Sequence, residues 1–390
     1  MPALTLPRPD GSLEHYTLRN TPLAVADAGA RPAFNRIAYA AAHVVIDPLA
    51  ATDPWLDSRI DWDATIAFRT HLWDLGLGVA EAMDTAQRGM GLDWPGAQQL
   101  IRHSLAAAKT RPDALIACGA GTDHLVPSPA VTLDDVIGAY EEQIGFVESL
   151  GGRVILMASR ALVAAAKGPD DYARVYDRLL RQAREPVILH WLGEMFDPAL
   201  AGYWGYTDHD LAMNIAVDVI NANAGKVDGI KISLLSADKE IAMRRRLAPS
   251  VRMYTGDDFN YAELIAGDDK GYSHALLGIF DAIAPAASAS LAALARGDRS
   301  GFDAILAPTV PLSRLIFAAP TRFYKTGVVF LAWLNGFQDH FLMLGGQQSA
   351  RSLQHLAEVF RLADAARMLA DPERATHRMR QLLAVGGIES

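Results

Sequence analysis

The residue with the clearest chemical potential in this sequence is Lys231, which lies inside the apolar run VDGIKISLL. Burial disfavours the charged form of a lysine, so its pKa falls and a neutral amine becomes available near neutral pH. A neutral amine attacks carbonyl carbons, and the imine that it forms can stabilise a carbanion on the neighbouring carbon. Aldol cleavage, condensation and some dehydrations need this chemistry. The spacing alone leaves open a second interpretation, in which the lysine reaches water or pairs with a carboxylate.

Further candidate residues follow other short apolar runs. Histidine suits general acid-base work near neutral pH, and arginine or glutamine can orient a polar substrate. We predict His190 and Thr85 as proton carriers beside Lys231. Each also has a structural interpretation, His190 as a hydrogen-bonded core residue and Thr85 as a helix cap. The predicted substrate-binding residues are Asp84, Gln87, Arg88, Ser159, Arg160, Asp257 and Asp258.

These candidates belong to a chain in which short apolar runs alternate with longer helical segments, the pattern of parallel βαβ units. The predicted strands are residues 43–46, 78–83, 114–118, 153–157, 187–190, 229–232, 252–254 and 272–276. The predicted helices include residues 63–75, 94–109, 132–150, 169–183, 208–223 and 237–247. Eight units without a Gly-x-Gly-x-x-Gly sequence favour a closed (β/α)8 TIM barrel over a dinucleotide-binding sheet. In such a barrel the active residues lie at the carboxyl ends of the strands.

The segments on either side of the barrel differ from it in pattern. Residues 3–18 predict a strand, a turn and a strand, with the turn at Pro9-Asp10-Gly11. From about Ala282 onward the Ala- and Leu-rich sequence predicts packed helices. We therefore expect an N-terminal extension over 1–36, a catalytic barrel over 37–281 and a helical C-terminal domain over 282–390.

Composition narrows the possible functions. The chain has 390 residues, of which 51% are hydrophobic, and its formal charge of −9 argues against a nucleic-acid binder. The single Cys118 excludes an intrachain disulfide. The N-terminus does not resemble a secretory signal, and the most apolar stretch, residues 327–337, is too short to cross a bilayer. We expect a cytoplasmic protein without a membrane partner.

Several motifs, in the right order, resemble the dihydrodipicolinate synthase / N-acetylneuraminate lyase family of class I aldolases. Gly229-Ile230-Lys231-Ile232-Ser233 is similar to the strand that holds the imine-forming lysine of that family. The sequence TGDD at 255–258 and the run PVILHWLG at 186–193 resemble the ends of the neighbouring strands, and the resemblance covers roughly residues 40 to 345. It implies a lyase that needs no cofactor, forms an imine with a small carbonyl substrate through Lys231, and assembles as a homodimer or homotetramer.

The chain departs from the family pattern around the predicted substrate site. Where the family has Gly-Thr-Thr-Gly-Glu, which holds the carboxylate of a 2-oxo acid, this chain has Asp84-Thr85-Ala86-Gln87-Arg88. Asp84 should repel a carboxylate unless Arg88 or Arg160 compensates. His190 stands where the family has its proton-shuttling tyrosine. The substrate can therefore be a keto acid, a sugar acid or an oxidised sugar, and pyruvate is open to question.

Two other functions fit the same residues. Glu81, His190 and Asp257, with His43 or Asp47, could bind a divalent metal in a TIM-barrel isomerase or aldolase, because carboxylate and imidazole groups at strand ends suit such a site. A catalytically silent barrel that binds a metabolite is the third possibility, since the chain lacks the second threonine and the tyrosine of the family.

Overall fold

The computed structural model describes residues 2–19, 21–24 and 32–389. Its strands in these residues are β1 (Ala3–Pro7), β2 (Leu13–Thr17), β3 (Ala38–Ala41), β4 (Gly78–Glu81), β5 (Ile116–Ala120), β6 (Arg153–Leu156), β7 (Val187–Leu192), β8 (Val227–Ser233), β9 (Arg252–Thr255) and β10 (His274–Leu277). Its α-helices are α1 (Trp62–Asp74), α2 (Trp94–Lys109), α3 (Leu133–Ser149), α4 (Arg160–Ala165), α5 (Pro169–Gln182), α6 (His209–Ala222), α7 (Ala237–Arg244), α8 (Tyr261–Ala266), α9 (Ile279–Ala282), α10 (Ala284–Ala295), α11 (Arg299–Leu306), α12 (Val310–Ile316), α13 (Tyr324–Leu334), α14 (Leu353–Ala365) and α15 (Pro372–Val385).

Strands β3 to β10 form a closed barrel in chain order, with β10 pairing with β3 to complete the ring. Every pair in the ring is parallel, and helices separate most consecutive strands. The predicted (β/α)8 TIM barrel is therefore confirmed. Nearly all strand residues are buried, which explains why the sequence shows short continuous apolar runs rather than an alternation.

The barrel interior is filled by alternate residues from successive strands. One buried cluster joins residues from most of them: Tyr39, Ala41, Ala80, Met83, Ala117, Ile155, Met157, Ile188, Tyr254 and Leu276. Residues that pair across parallel strands face the same side of the sheet. Lys231 pairs with His190 of β7 and with Tyr254 of β9. Because Tyr254 belongs to the interior cluster, Lys231 and His190 also face the inside of the barrel.

The predicted helices begin and end within a few residues of the observed ones, because side-chain caps define their starts. Asp93 accepts from the backbone N–H of Gly96 at the start of α2, followed by a proline in the first turn. Thr132 and Asp135 form a reciprocal capping box at the start of α3. Such caps satisfy backbone N–H groups that have no partner within the helix, and they are readable from the sequence.

The predicted first strand, residues 43–46, is wrong. The strand is β3 at Ala38–Ala41, which pairs with β4 and β10. The β-branched residues of HVVI favour a strand by propensity, but two backbone N–H groups of this run donate to side chains and not to a neighbouring strand. The N–H of His43 donates to Asp281 Oδ2 at 2.8 Å, and that of Val45 donates to Thr65 Oγ1 at 3.0 Å. Asp47 therefore does not follow a barrel strand directly.

The chain divides into two compact units. One consists of Arg36–Ala42 and Leu77–Leu277 and contains the whole barrel; the other consists of Met1–Asn35, His43–Gly76 and Gly278–Ser390. Within the second unit, β1 and β2 form the predicted antiparallel hairpin, and helices occupy the described residues after 278. The three-domain division at 36/37 and 281/282 stays a prediction.

In residues 2–19, 21–24 and 32–389, no single helix combines the length and the apolar character needed to cross a bilayer, although the bent pair Arg299–Ile316 and Thr321–Leu334 meets the requirement by length and composition.

Candidate active site

Lys231 lies in the middle of β8, and only 7% of the residue is exposed. Its amine makes no hydrogen bond and no ion pair with any residue in 2–19, 21–24 or 32–389. Burial lowers the pKa of Lys231, and the charges of Asp258 and Asp84 oppose that shift. Burying a lysine amine without a bonded partner reduces the free energy of unfolding, so the position of Lys231 indicates a chemical function.

Gly256, directly after β9, leaves the space that the Lys231 side chain occupies. A Cβ at this position would lie 2.7 Å from Lys231 Cε and 2.8 Å from the carbonyl oxygen of Ile232, and it would also collide with Ser233 Oγ. Atoms this close repel, so only glycine fits without displacing the lysine. The glycine of the TGDD motif therefore leaves room for the Lys231 side chain.

His190 is a titratable neighbour of Lys231 on the adjacent strand β7. It pairs in register with Lys231, and 2% of the residue is exposed. Its Nε2 lies 3.4 Å from Ser233 Oγ. Burial, together with the charge of Lys231, holds the pKa of the imidazole well below its usual range, so the ring is neutral at physiological pH. A neutral ring can both accept and donate a proton.

The turn after β4 carries three of the predicted residues. Asp84 begins a short 3-10 turn, Asp84–Ala86, and its carboxylate has no hydrogen bond or ion pair with the described part of the chain. Thr85 is buried in the same turn. Gln87 adopts a left-handed conformation with φ of 65°, and its side-chain amide donates to the carbonyl of Met90 at 3.1 Å. Asp84 is therefore the residue of this turn whose charged group has no bonded partner among the described residues.

Arg88 is fully occupied by protein partners. Its Nε donates to Asp123 Oδ2 at 3.0 Å, and its Nη2 donates to Asp123 Oδ1 and to Gln143 Oε1. Its Nη1 donates to the carbonyls of Ala82 at 3.1 Å and Gly119 at 3.3 Å. A guanidinium has five N–H donors, so all of them are used here. This arrangement fastens the ends of β4 and β5 together.

Ser159 and Arg160 lie after β6. Ser159 caps α4 by accepting from the N–H of Leu162, and its hydroxyl lies 2.6 Å from that of Thr122. The Nε of Arg160 donates to Asp197 Oδ2 at 2.5 Å, and 46% of the arginine side chain is exposed. Arg160 is therefore the more accessible of the two predicted arginines, with a carboxylate already beside it.

Asp257 and Asp258 follow β9. Asp257 accepts backbone N–H groups from Phe259 and Asn260, at 2.9 and 3.0 Å, and so orders the turn before α8, whose N-cap is Asn260. Asp258 is buried, and its charge acts on Lys231. Asp258 thus belongs to the surroundings of the amine, whereas Asp257 organises the turn.

A cleft with about 620 Å³ of empty space, partly open to solvent, joins several of these residues. Asp84, whose charge acts on Lys231, lines the cleft. His190, whose pKa is lowered by the charge of Lys231, lines it as well. The lining residues are Asp84, Arg88, Gly89, Thr122, Asp123, Leu125, Pro127, Met157, Ala158, Arg160, His190, Leu192, Asp197 and Leu200. Lys231 itself does not line the cleft; His190, its neighbour in register, does.

The alternative metal-binding residues do not come together. Glu81 is buried, but its carboxylate accepts from the Ser104 hydroxyl of α2 at 2.5 Å, away from the barrel interior that His190 faces. His43 bonds through Nδ1 to Asp281 at 2.8 Å. Within the described ranges, no group of three or more His, Cys, Asp or Glu side chains could hold one metal ion.

Sequence reasoning missed two features of this region. Buried hydroxyls of Tyr176 and Tyr203 lie 2.8 Å apart, and the Tyr203 hydroxyl accepts the N–H of Ser159. Glu240 of α7 is buried, and burial raises its pKa to about 8 although Ser273 donates to it at 2.6 Å. Neither has a local sequence signal, because their partners lie on distant segments.

Solved structures of the dihydrodipicolinate synthase family are similar to this chain in architecture. YagE, a prophage protein of that family from E. coli K12 in complex with pyruvate, has a TM-score of 0.64 and 14% identity, covering 90% of this chain and 99% of that one. The Aquifex aeolicus synthase has a TM-score of 0.60 and 11% identity, with 90% and 98% covered. The Oceanobacillus iheyensis synthase has a TM-score of 0.59 and 14% identity, with 78% and 87% covered. At these identities the likeness establishes the fold.

At the level of sequence, the chain matches a family whose description states no activity. No curated protein matches the chain. The profile of the family described as "Protein of unknown function (DUF993)" matches residues 4–388, almost the whole chain. The chain therefore belongs to the DUF993 family, built on the barrel fold of the dihydrodipicolinate synthases.

Proposed function

We propose that this protein is a Schiff-base-forming lyase or dehydratase of the aldolase type, acting on a small polar carbonyl compound with Lys231 as the nucleophile. One observation carries the proposal: the Lys231 amine is buried inside the barrel and bonds to none of the described residues. Its lowered pKa makes the neutral amine more available than that of a surface lysine. The fold adds support, since a relative of the same architecture is known in complex with pyruvate.

In the proposed reaction the nitrogen of Lys231 bonds to the carbonyl carbon, and the carbonyl oxygen leaves as water with both amine hydrogens. Protonation of the imine then makes an electron sink. In a lyase reaction a base removes the proton of the substrate hydroxyl group, whose oxygen becomes the carbonyl of the released fragment, and the electron pair of the breaking carbon-carbon bond flows into this sink to give an enamine. A proton then adds to the enamine carbon, and water hydrolyses the imine to release the second product and the Lys231 amine. His190, neutral and in register with Lys231, is the group proposed to carry protons. Asp84 and Asp258 stabilise the cationic imine by their charge.

The remaining predicted residues have different support. Thr85 stays a predicted proton carrier, buried in the turn beside Asp84. Arg160 is accessible in the cleft and is kept as a substrate-orienting residue. Arg88 is assigned to positioning the cleft wall, because its donors are occupied. Assembly as a homodimer or homotetramer and location in the cytoplasm stay predictions, and the former is measurable by sedimentation.

Reductive trapping tests the proposal directly. The purified protein is incubated with cyanoborohydride and a panel of keto acids, hydroxyketones and aldehydes, and adducts are located by peptide mass mapping. We expect one adduct, at Lys231, that is lost in Lys231→Met. Lys239→Met, which removes a partly exposed lysine paired with Asp210, is the matched control and should keep the adduct. Absence of any Lys231 adduct across the panel, in folded protein, contradicts an imine-forming function.

A further inference from the structure

The charges around the candidate site bear on the kind of carbonyl compound that can reach Lys231. Five charged side chains line the cleft: Asp84, Arg88, Asp123, Arg160 and Asp197. Both arginines are held by aspartates of the same cleft, Arg88 by Asp123 and Arg160 by Asp197. These two pairs leave Asp84 as the lining charge that makes no ion pair within the described residues, and its charge acts on Lys231.

Negative charge also dominates the immediate surroundings of the amine. Asp258 and Asp84 are the charged groups that act on Lys231, and Asp258 is buried. When a 2-oxo acid forms an imine, its carboxylate is attached to the same carbon as the lysine nitrogen. That carboxylate would lie in the field of two aspartates within a region of low dielectric, where like charges repel strongly. Arg88 cannot neutralise it, since its five donors are used.

A neutral hydroxylated substrate meets no such penalty. The Asp84 carboxylate lies on the cleft wall, only partly buried, and can accept hydrogen bonds from substrate hydroxyl groups. The same charge stabilises the cationic imine once it forms. The Arg160 side chain is 46% exposed and bonds to Asp197 through Nε, so its Nη groups remain as donors to substrate oxygens while Asp197 matches its charge.

We infer that the substrate of this site is a neutral hydroxylated aldehyde or ketone, with no carboxylate attached to the carbonyl carbon, and that Asp84 excludes 2-oxo acids. The inference rests on the proposed function, because it concerns the carbonyl that Lys231 captures. Asp84 acts as a specificity-determining residue in this scheme. The pyruvate seen with a structural relative then does not transfer to this chain.

A matched pair of compounds tests the inference. Hydroxyacetone and pyruvate share a three-carbon skeleton and differ in a hydroxymethyl group against a carboxylate beside the ketone. Each is trapped on Lys231 with cyanoborohydride, and the rate is divided by that measured with Nα-acetyl-lysine to remove intrinsic reactivity. We expect this normalised trapping rate to be at least about tenfold higher for hydroxyacetone than for pyruvate. In Asp84→Asn, the ratio of the pyruvate rate to the hydroxyacetone rate should rise, because the repulsion of the pyruvate carboxylate is removed while the loss of imine stabilisation slows both ketones.

The controls separate the possible outcomes. Asp53→Asn, which removes an exposed carboxylate that does not line the cleft, should leave both rates unchanged. Pyruvate trapping at or above the hydroxyacetone rate overturns the inference and leaves the imine-forming function in place. A pyruvate trapping rate that falls when Arg160 is replaced and stays the same in Asp84→Asn also overturns the inference. If neither ketone, nor glyceraldehyde or glycolaldehyde, labels Lys231, the proposed function fails and the inference with it.

Discussion

Replacing Gly256 by alanine tests whether this glycine makes room for the active lysine. Gly256 does not have a positive φ, so alanine can adopt its backbone conformation and the cost comes from contacts alone. The new methyl group would lie 2.7 Å from Lys231 Cε and 2.8 Å from the Ile232 oxygen, against 3.4 Å or more for an ordinary contact. The lysine chain can move, but the Ile232 carbonyl belongs to β8 and accepts the N–H of Gly256 itself at 3.0 Å.

The two strands must therefore separate locally, by about half an ångström, to admit the methyl group. Overpacking of this kind typically costs about 1–3 kcal/mol of unfolding free energy. Displacement of the lysine on the ångström scale should also slow imine trapping, by up to about 100-fold. Urea unfolding measures the free energy of unfolding, and cyanoborohydride trapping with the best carbonyl compound measures the rate of imine trapping.

A glycine in open space serves as the control. Gly138 lies within α3, and a Cβ there meets no heavy atom within 4 Å. Gly138→Ala should raise the unfolding free energy by up to about 1 kcal/mol, through helix propensity, and leave trapping unchanged. If Gly256→Ala unfolds at the same urea concentration as the parent and traps carbonyls at the same rate, the steric argument for the lysine position is wrong.

Three further predictions concern buried charges. Lys231→Met should raise the unfolding free energy at neutral pH by about 1–3 kcal/mol, because it removes a buried amine without a bonded partner. Since the folded-state pKa of Lys231 lies below that of the unfolded chain, this gain should shrink as pH rises toward 10.5, and a constant or growing gain would contradict the assignment. The pKa of Glu240 is raised from 4.5 to about 8, so the parent should lose up to about 5 kcal/mol of stability as pH rises through that window. Glu240→Gln should remove that slope in thermal melts; an unchanged slope would place its origin elsewhere. Arg88→Lys should lower the unfolding free energy by about 2–4 kcal/mol, as Asp123 loses its bidentate partner and Gln143 loses a donor, and a neutral effect in urea would argue against the positioning role.

The local pattern of the sequence was sufficient for the barrel. Burial of each strand on both faces produces short apolar runs, and caps such as Asp93 mark helix starts, so both signals lie within a few neighbouring residues. Lys231 stood out for the same reason, as a charged residue inside one apolar run. The first barrel strand was placed wrongly because Ala38–Ala41 has weaker β propensity than the residues after it.

Only the tertiary structure decided the charge balance of the site. Whether Arg88 and Arg160 could offset Asp84 was open from the sequence, since Asp123 and Asp197 lie 35 and 37 residues away from them. Their pairing depends on how loops from different strands converge at one end of the barrel, as does the deep burial of Glu240. Sequence neighbours determine which element a segment forms, whereas the field around a side chain comes from segments that folding brings together.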